Sequence, residues 1–375
     1  MFGTPSFRIG KAFGIPVEVN ASWLIIFALV TFSLGTAYFP TVTEAAGAPL
    51  WSHYVVGMFT AAFFFASILA HELCHSLVAK ASGGHVDRIT LFIFGGVAQI
   101  DEEPKTAGKE LLMAAAGPAM SLFISLMAFL GFALASAAGA PWWIWAPLEY
   151  LAMINLFVAI FNMLPGFPLD GGRVLRSILW AITGDLLKAT RWAVRVGQFI
   201  GWSMVSLAIV SVINGSGEFI WFGLVGWFIA TLAGQAYRQQ VVRTRLAGVS
   251  VKEVMTPGPE FVDGDLTIET LVQEHFLGRR HSRYPVLHEG SIVGLITLPD
   301  IKTVDRSDWP FVRTIDVTNR DVPSLVVKTD APVQSVLPRL AGDRPGALLA
   351  VEDGRLVGII TRSDVIHLLE QPEQP

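Results

Sequence analysis

From residue 21 to about residue 237 the chain alternates long apolar runs with short polar joints; from about residue 250 apolar and polar residues mix at ordinary density. Six runs are long enough for a helix to cross a bilayer: 21–38, 54–80, 111–137, 148–164, 192–213 and 219–235. A helical crossing needs about 20 apolar residues. Trp142, Trp143, Trp145, Trp192 and Trp221 stand at run ends, where an interfacial belt is expected. The first run is long enough to stay in the membrane, so no cleavable leader is expected. The stretch 86–100 is of another kind. Ile89-Thr90-Leu91-Phe92-Ile93-Phe94-Gly95-Gly96-Val97-Ala98-Gln99-Ile100 is β-rich, broken by a glycine pair and too short to span, which predicts a re-entrant β-loop.

Composition supports a membrane-embedded chain, with 52% hydrophobic and 15% charged residues. A net charge of -4 gives no attraction for nucleic acid, and none is expected as a partner. Cys74 is the only cysteine, so there is no internal disulfide. Every Lys and Arg before residue 247 lies in the N-terminus, the second or fourth joint, the tail, or a run end facing them. The joints 39–53, 136–147 and 214–218 contain none. By the positive-inside rule both termini are cytoplasmic.

The second run carries His71-Glu72-Leu73-Cys74-His75 near its inner end. In a helix His71 and His75 share one face, which suits two ligands of one zinc ion, and Glu72 lies one step round, placed to take a proton from water. Two histidines and a carboxylate are costly in hydrocarbon unless they hold an ion or line a wet cavity. At ~1.5 Å per residue, His75 lies about 8 Å and His71 about 14 Å from Lys80 along the helix, so the metal belongs within the membrane, toward the cytoplasm.

Zinc needs a third protein ligand. The fourth run ends, at the same level, in Asn162-Met163-Leu164-Pro165-Gly166-Phe167-Pro168-Leu169-Asp170-Gly171-Gly172-Arg173. Two prolines and a diglycine are expected to break the helix there. Asp170 is either a ligand turned inward or an ordinary loop or cap residue. Two histidines and one aspartate with a fourth position open make a catalytic rather than a structural zinc geometry.

Together these segments resemble the site-2 protease family of intramembrane zinc metalloproteases, over about residues 1–240. The resemblance implies one Zn2+ per chain on His71, His75 and Asp170, Glu72 as general base, and Asn162 holding the substrate carbonyl or its oxyanion. It implies transmembrane protein substrates, such as a membrane-bound anti-sigma factor, a pro-sigma factor or a remnant signal peptide. A substrate helix must be unwound before its carbonyls can be attacked. Gly95-Gly96 resembles the family's β-loop beside the metal, which is either a strand edge for the unwound substrate or a packing hairpin sealing the cavity. Gly117-Pro118 resembles a recurrent element of the third span, for which a packing role is expected.

The remainder contains an internal repeat. Val293-Gly294-Leu295-Ile296-Thr297-Leu298-Pro299-Asp300-Ile301 returns 64 positions on as Val357-Gly358-Ile359-Ile360-Thr361-Arg362-Ser363-Asp364-Val365. Each copy reads as strand, turn, strand and a helix opening at Thr-x-x-Asp, with hairpin signals at Glu289-Gly290 and Asp353-Gly354. With the opening Val254-Met255-Thr256-Pro257, this resembles a tandem pair of cystathionine β-synthase (CBS) domains. The second copy has no clear counterpart of that opening. The resemblance implies ATP, ADP or AMP as ligand, contacted by Thr297, Asp300, Thr361 and Asp364, and a homodimer through the pair. The alternative is that both aspartates only stabilise helix starts.

The expected molecule is a multispanning α-helical protein of the cell membrane, about six spans plus a re-entrant β-loop over 1–240. A linker at 241–249 and a cytoplasmic α/β CBS pair at 250–306 and 311–370 follow. The rival from another class is a CBS-gated transporter or channel whose intramembrane metal site forms an ion path. Transporters commonly carry inverted repeats, and the halves of 1–240 share none. His53 is expected at the outer interface, His85 in a loop, Glu149 at the outer start of the fourth span, and Arg279, Arg280 and Arg283 on a solvated face.

Overall fold

The computed structural model describes residues 6–42, 44–45, 47–93, 95–100, 104–217, 219–277, 281–341 and 346–370. Arg279, Arg280 and Phe94 lie outside the described residues. The chain divides into two units, Met1–Gln240 and Val241–Pro375.

Among the described residues of the first unit, six helical stretches are long and apolar enough to cross a membrane. They comprise α1 (Ala21–Ser33, carried on by turns to Thr41), α2 (Leu50–Ala81), α3 (Ala107–Ala137), α4 (Trp142–Asn162), α6 (Leu186–Ile213) and α7 (Ile220–Arg245). Polar residues fix their starts: Asn20, Thr106 and Asp185 accept from the backbone N–H of Ser22, Lys109 and Lys188 and so satisfy otherwise unpaired donors. Between α4 and α6 lies α5 (Asp170–Thr183), an amphipathic helix of 14 residues. It ends at Gly184, whose φ of 69° is the left-handed cap that glycine adopts without strain.

Two sequence expectations are corrected here and a third is extended. The diglycine does not break a helix; Gly171 and Gly172 form the first turn of α5. They are needed for close approach, since a Cβ on Gly171 would strike the carbonyls of Met163 and Leu164, and one on Gly172 the backbone of Gly166 and Phe167. Glu149 is not at a helix start: α4 begins at Trp142 and runs through Pro147, so Glu149 sits inside it and accepts from the Tyr38 hydroxyl at 3.4 Å. The β-loop forms at 86–100 as expected, but not alone. β1 (Ser6–Ala12) and β2 (Ile15–Asn20) form a hairpin that joins β3 (Val86–Phe92) and β4 (Gly95–Ile100) in one sheet of order β1-β2-β3-β4. The β1–β2 turn at Phe13-Gly14 has φ of 51° and 82°, the twist that tight hairpins favour. β2 and β3 run parallel, β3 and β4 antiparallel, and β4 is an edge.

The second unit contains β5 (Thr256–Pro257), β6 (Val262–Asp263), β7 (Arg283–His288), β8 (Ser291–Thr297), β9 (Val326–Lys328), β10 (Ala347–Glu352) and β11 (Arg355–Thr361). They make two sheets, β6-β7-β8 and β5-β11-β10-β9. Each repeat is a hairpin with an acidic-Gly tip at positive φ (Glu289-Gly290 and Asp353-Gly354), followed by a helix. The opening of the first copy, Thr256–Pro257, pairs with β11 of the second. Conversely, Asn319 bridges Leu295 on β8 of the first. The segment around Thr318-Asn319 is thus the second copy's opening, invisible in sequence because this exchange uses backbone groups rather than the Met-Thr-Pro side chains.

Candidate functional site

α2 places His71 and His75 on one face, both buried, and α5 brings Asp170 to them. The Nε2 atoms of the two histidines are 3.2 Å apart, and Asp170 Oδ2 lies 3.1 Å from that of His71 and 3.2 Å from that of His75. These three ligand atoms form a compact triangle. A tetrahedral zinc with bonds of about 2.0–2.1 Å spaces neighbouring ligand atoms roughly 3.3–3.4 Å apart, so the triangle fits such an ion to within a few tenths of an ångström. The far ring nitrogens are held too. His75 Nδ1 donates to the Met113 carbonyl at 2.6 Å, leaving Nε2 with its lone pair for a metal, and His71 Nδ1 is 2.8 Å from the Ser121 hydroxyl.

Both partners come from α3, and between them sits Gly117. A Cβ there would collide with Nε2 of both histidines. Gly117 therefore keeps open the space toward which the ligand atoms point, where sequence alone suggested packing. Met113, Gly117 and Ser121 are four apart and form one stripe, a signal the chain carries without announcing its purpose.

Glu72 is half-buried beside β4; a Cβ on Gly96 would stand 2.5 Å from Glu72 Cγ. Glu72, His75 and Asp170 open into a cavity of about 480 Å³, lined also by Gly96, Val97, Ala98, Arg173 and Gln239. The carboxylate and the strand edge thus face one cavity. Asn162 is the last residue of α4 and half-buried, and it is not among the residues lining this cavity. Cys74 is half-buried and apart from the ligand triangle. His53 is buried, with Nε2 3.0 Å from the Ala45 carbonyl, while His85 is exposed beside Asp87.

In the second unit Thr297 and Asp300, and likewise Thr361 and Asp364, link at helix starts. Each aspartate accepts from the threonine's hydroxyl and backbone N–H. The second pair lines a cavity of about 350 Å³, which it shares with Thr256, His281, Ser282 and Arg283. Thr297 and Asp300 are not among the residues that line it.

Residues 59–140 and 132–204 match Peptidase family M50, and residues 251–306 and 314–371 match the CBS domain. A Synechocystis sp. protein named "Putative zinc metalloprotease sll0528" is 35% identical over 98% of this chain and 97% of its own. "Zinc metalloprotease MJ0392" of Methanocaldococcus jannaschii is 30% identical over 97% of this chain and 96% of its own. The solved site-2 protease from Methanocaldococcus jannaschii aligns at 30% identity, covering 62% of this chain and 94% of that one, with a TM-score of 0.42. Likeness along nearly the full length of both relatives decides for a protease over a gated transporter: the chain belongs to the M50 (site-2 protease) family of zinc metalloproteases, as a multi-pass membrane member carrying a tandem CBS pair.

Proposed function

We propose that His71, His75 and Asp170 hold one catalytic zinc per chain, that Glu72 is the general base, and that cleavage occurs in or near a substrate's transmembrane segment. The observation that carries this reading is the ligand triangle, held open by Gly117 and adjoined by Glu72 at a cavity. When bound, zinc supplies Lewis-acid polarisation of a peptide carbonyl and makes water more acidic. Glu72 takes the proton from the attacking water and returns it to the leaving amine. Met113 and Ser121 hold the imidazoles in the orientation that presents Nε2. Asn162 is assigned to the substrate carbonyl on its sequence motif alone. The open edge of β4 beside Glu72 supports the substrate-strand role over the sealing hairpin, because an unwound segment paired there would run past the carboxylate.

In this reading residues 1–240 form the protease, 241–249 the linker, and 250–306 and 311–370 the CBS repeats, with both termini cytoplasmic. The Thr361–Asp364 cavity takes an adenine nucleotide, and the pair carries a homodimer contact. Membrane-bound anti-sigma factors, pro-sigma factors and remnant signal peptides remain the substrate candidates.

The test is zinc content and cleavage of a model single-span substrate by the purified chain. His71→Ala, His75→Ala and Asp170→Ala should each lower zinc below one per chain. Glu72→Gln should keep the zinc and lose at least about 100-fold in cleavage, the usual worth of a general base. Full metal and activity in Asp170→Ala would place the third ligand elsewhere.

A further inference from the structure

The stripe of α3 that holds both histidines continues to Glu110, three residues before Met113 and on the same face. Glu110 is 1% exposed and Arg176 of α5 4% exposed. Arg176 Nε donates to Glu110 Oε1 at 2.6 Å, and its Nη2 closes on the same oxygen. Arg176 Nη1 donates to Gln240 Oε1 on α7 at 3.2 Å, and the guanidinium lies over the Phe167 ring, 5.2 Å from its centroid. Arg173, also on α5, is 4.0 Å from the same Glu110 oxygen.

We propose that Glu110 and Arg176 are positioning residues for the metal centre: their ion pair fixes the rotation of α5 on α3, so that Asp170 meets the two histidines. This rests on the assignment of His71, His75 and Asp170 as ligands. Asp170 is the first residue of α5, and Arg176 follows about 9 Å along the axis at ~1.5 Å per residue. Rolling α5 by one residue, about 100°, would carry Asp170 away from the histidines. An apolar contact tolerates some of that rolling; a guanidinium fork on a carboxylate does not. A fully buried ion pair is a poor source of net stability compared with apolar residues of similar size, so its worth here lies in orientation. One face of α3 then sets all three ligands: His75 through the Met113 carbonyl, His71 through Ser121, and Asp170 through Glu110 and Arg176.

The experiment uses the full chain in detergent, with zinc affinity measured by chelator competition and the visible spectrum of the cobalt-loaded protein as readouts. Arg176→Lys keeps the charge but loses the fork. The double variant Glu110→Leu with Arg176→Met removes the pair without leaving a buried charge, so it should fold. Both should bind zinc about 10- to 100-fold more weakly, as expected when support behind a ligand is lost, and both should show an altered cobalt spectrum. Wild-type affinity and an unchanged spectrum in the folded variants would overturn the proposal. So would weaker loading fully explained by a smaller folded fraction. A His71→Ala variant that retains one zinc per chain would instead refute the ligand assignment.

Discussion

What Gly117 contributes is the absence of a side chain. Its neighbours four residues away on either side, Met113 and Ser121, hold the histidine rings from behind, while the gap between them receives the ligand atoms. Gly117→Ala places a methyl group against Nε2 of both histidines, and Gly117→Val worsens the clash. Zinc content should fall well below one per chain in Gly117→Val, with cleavage falling in parallel and helical content unchanged by circular dichroism. Normal metal loading would show that the rings have room elsewhere. His71 and His75 were legible in the sequence as a candidate metal pair because chemistry restricts such ligands to a few residue types at helical spacing, and Asp170 joined them only through the family resemblance. Gly117, Met113 and Ser121 were not, since one acts through an empty volume, one through a backbone carbonyl and one through an ordinary hydroxyl.

The long elements could be read from hydrophobic runs because a bilayer demands about 20 apolar residues of any crossing helix. Pieces that do not cross escaped that reading. α5 is short and amphipathic, with two arginines near its start, and the hairpin β1–β2 resembles a charged N-terminal flank. Yet both matter to the site: α5 carries Asp170, and the hairpin widens the β-loop into a sheet whose free edge is β4. That edge approaches α2 only because Gly96 has no side chain above Glu72. Gly96→Val should therefore push β4 away from the carboxylate while leaving the ligand triangle intact. Cleavage of a single-span substrate should fall at least about tenfold with zinc still at one per chain, since a misplacement of about 1 Å can cost up to ~100-fold. Unimpaired cleavage would remove β4 from the account of substrate presentation.

The two units answer to different physics, one built from bilayer-length helices and the other from two small sheets that exchange their opening segments. Both Thr-x-x-Asp sites close a helix start, so replacing either aspartate by alanine should cost a similar amount of stability, about 0.5–2 kcal/mol. They differ in surroundings, because only Thr361 and Asp364 line the cavity shared with His281 and Arg283. Asp364→Ala should thus weaken adenine-nucleotide binding to the full chain about tenfold or more, while Asp300→Ala, with the same capping defect, should weaken it less. Calorimetry with ATP, ADP and AMP measures this, and equal losses in both variants would mean that capping alone was being read. Regulation demands a further condition: a nucleotide changes cleavage only if it binds two states of the chain with different affinity. A tenfold change in the population of the cleaving state needs a tenfold affinity ratio, about 1.4 kcal/mol. Cleavage that stays constant from zero to saturating nucleotide, in protein shown to bind it, would leave the CBS pair as a ligand-binding or dimerising unit without control over the metal centre.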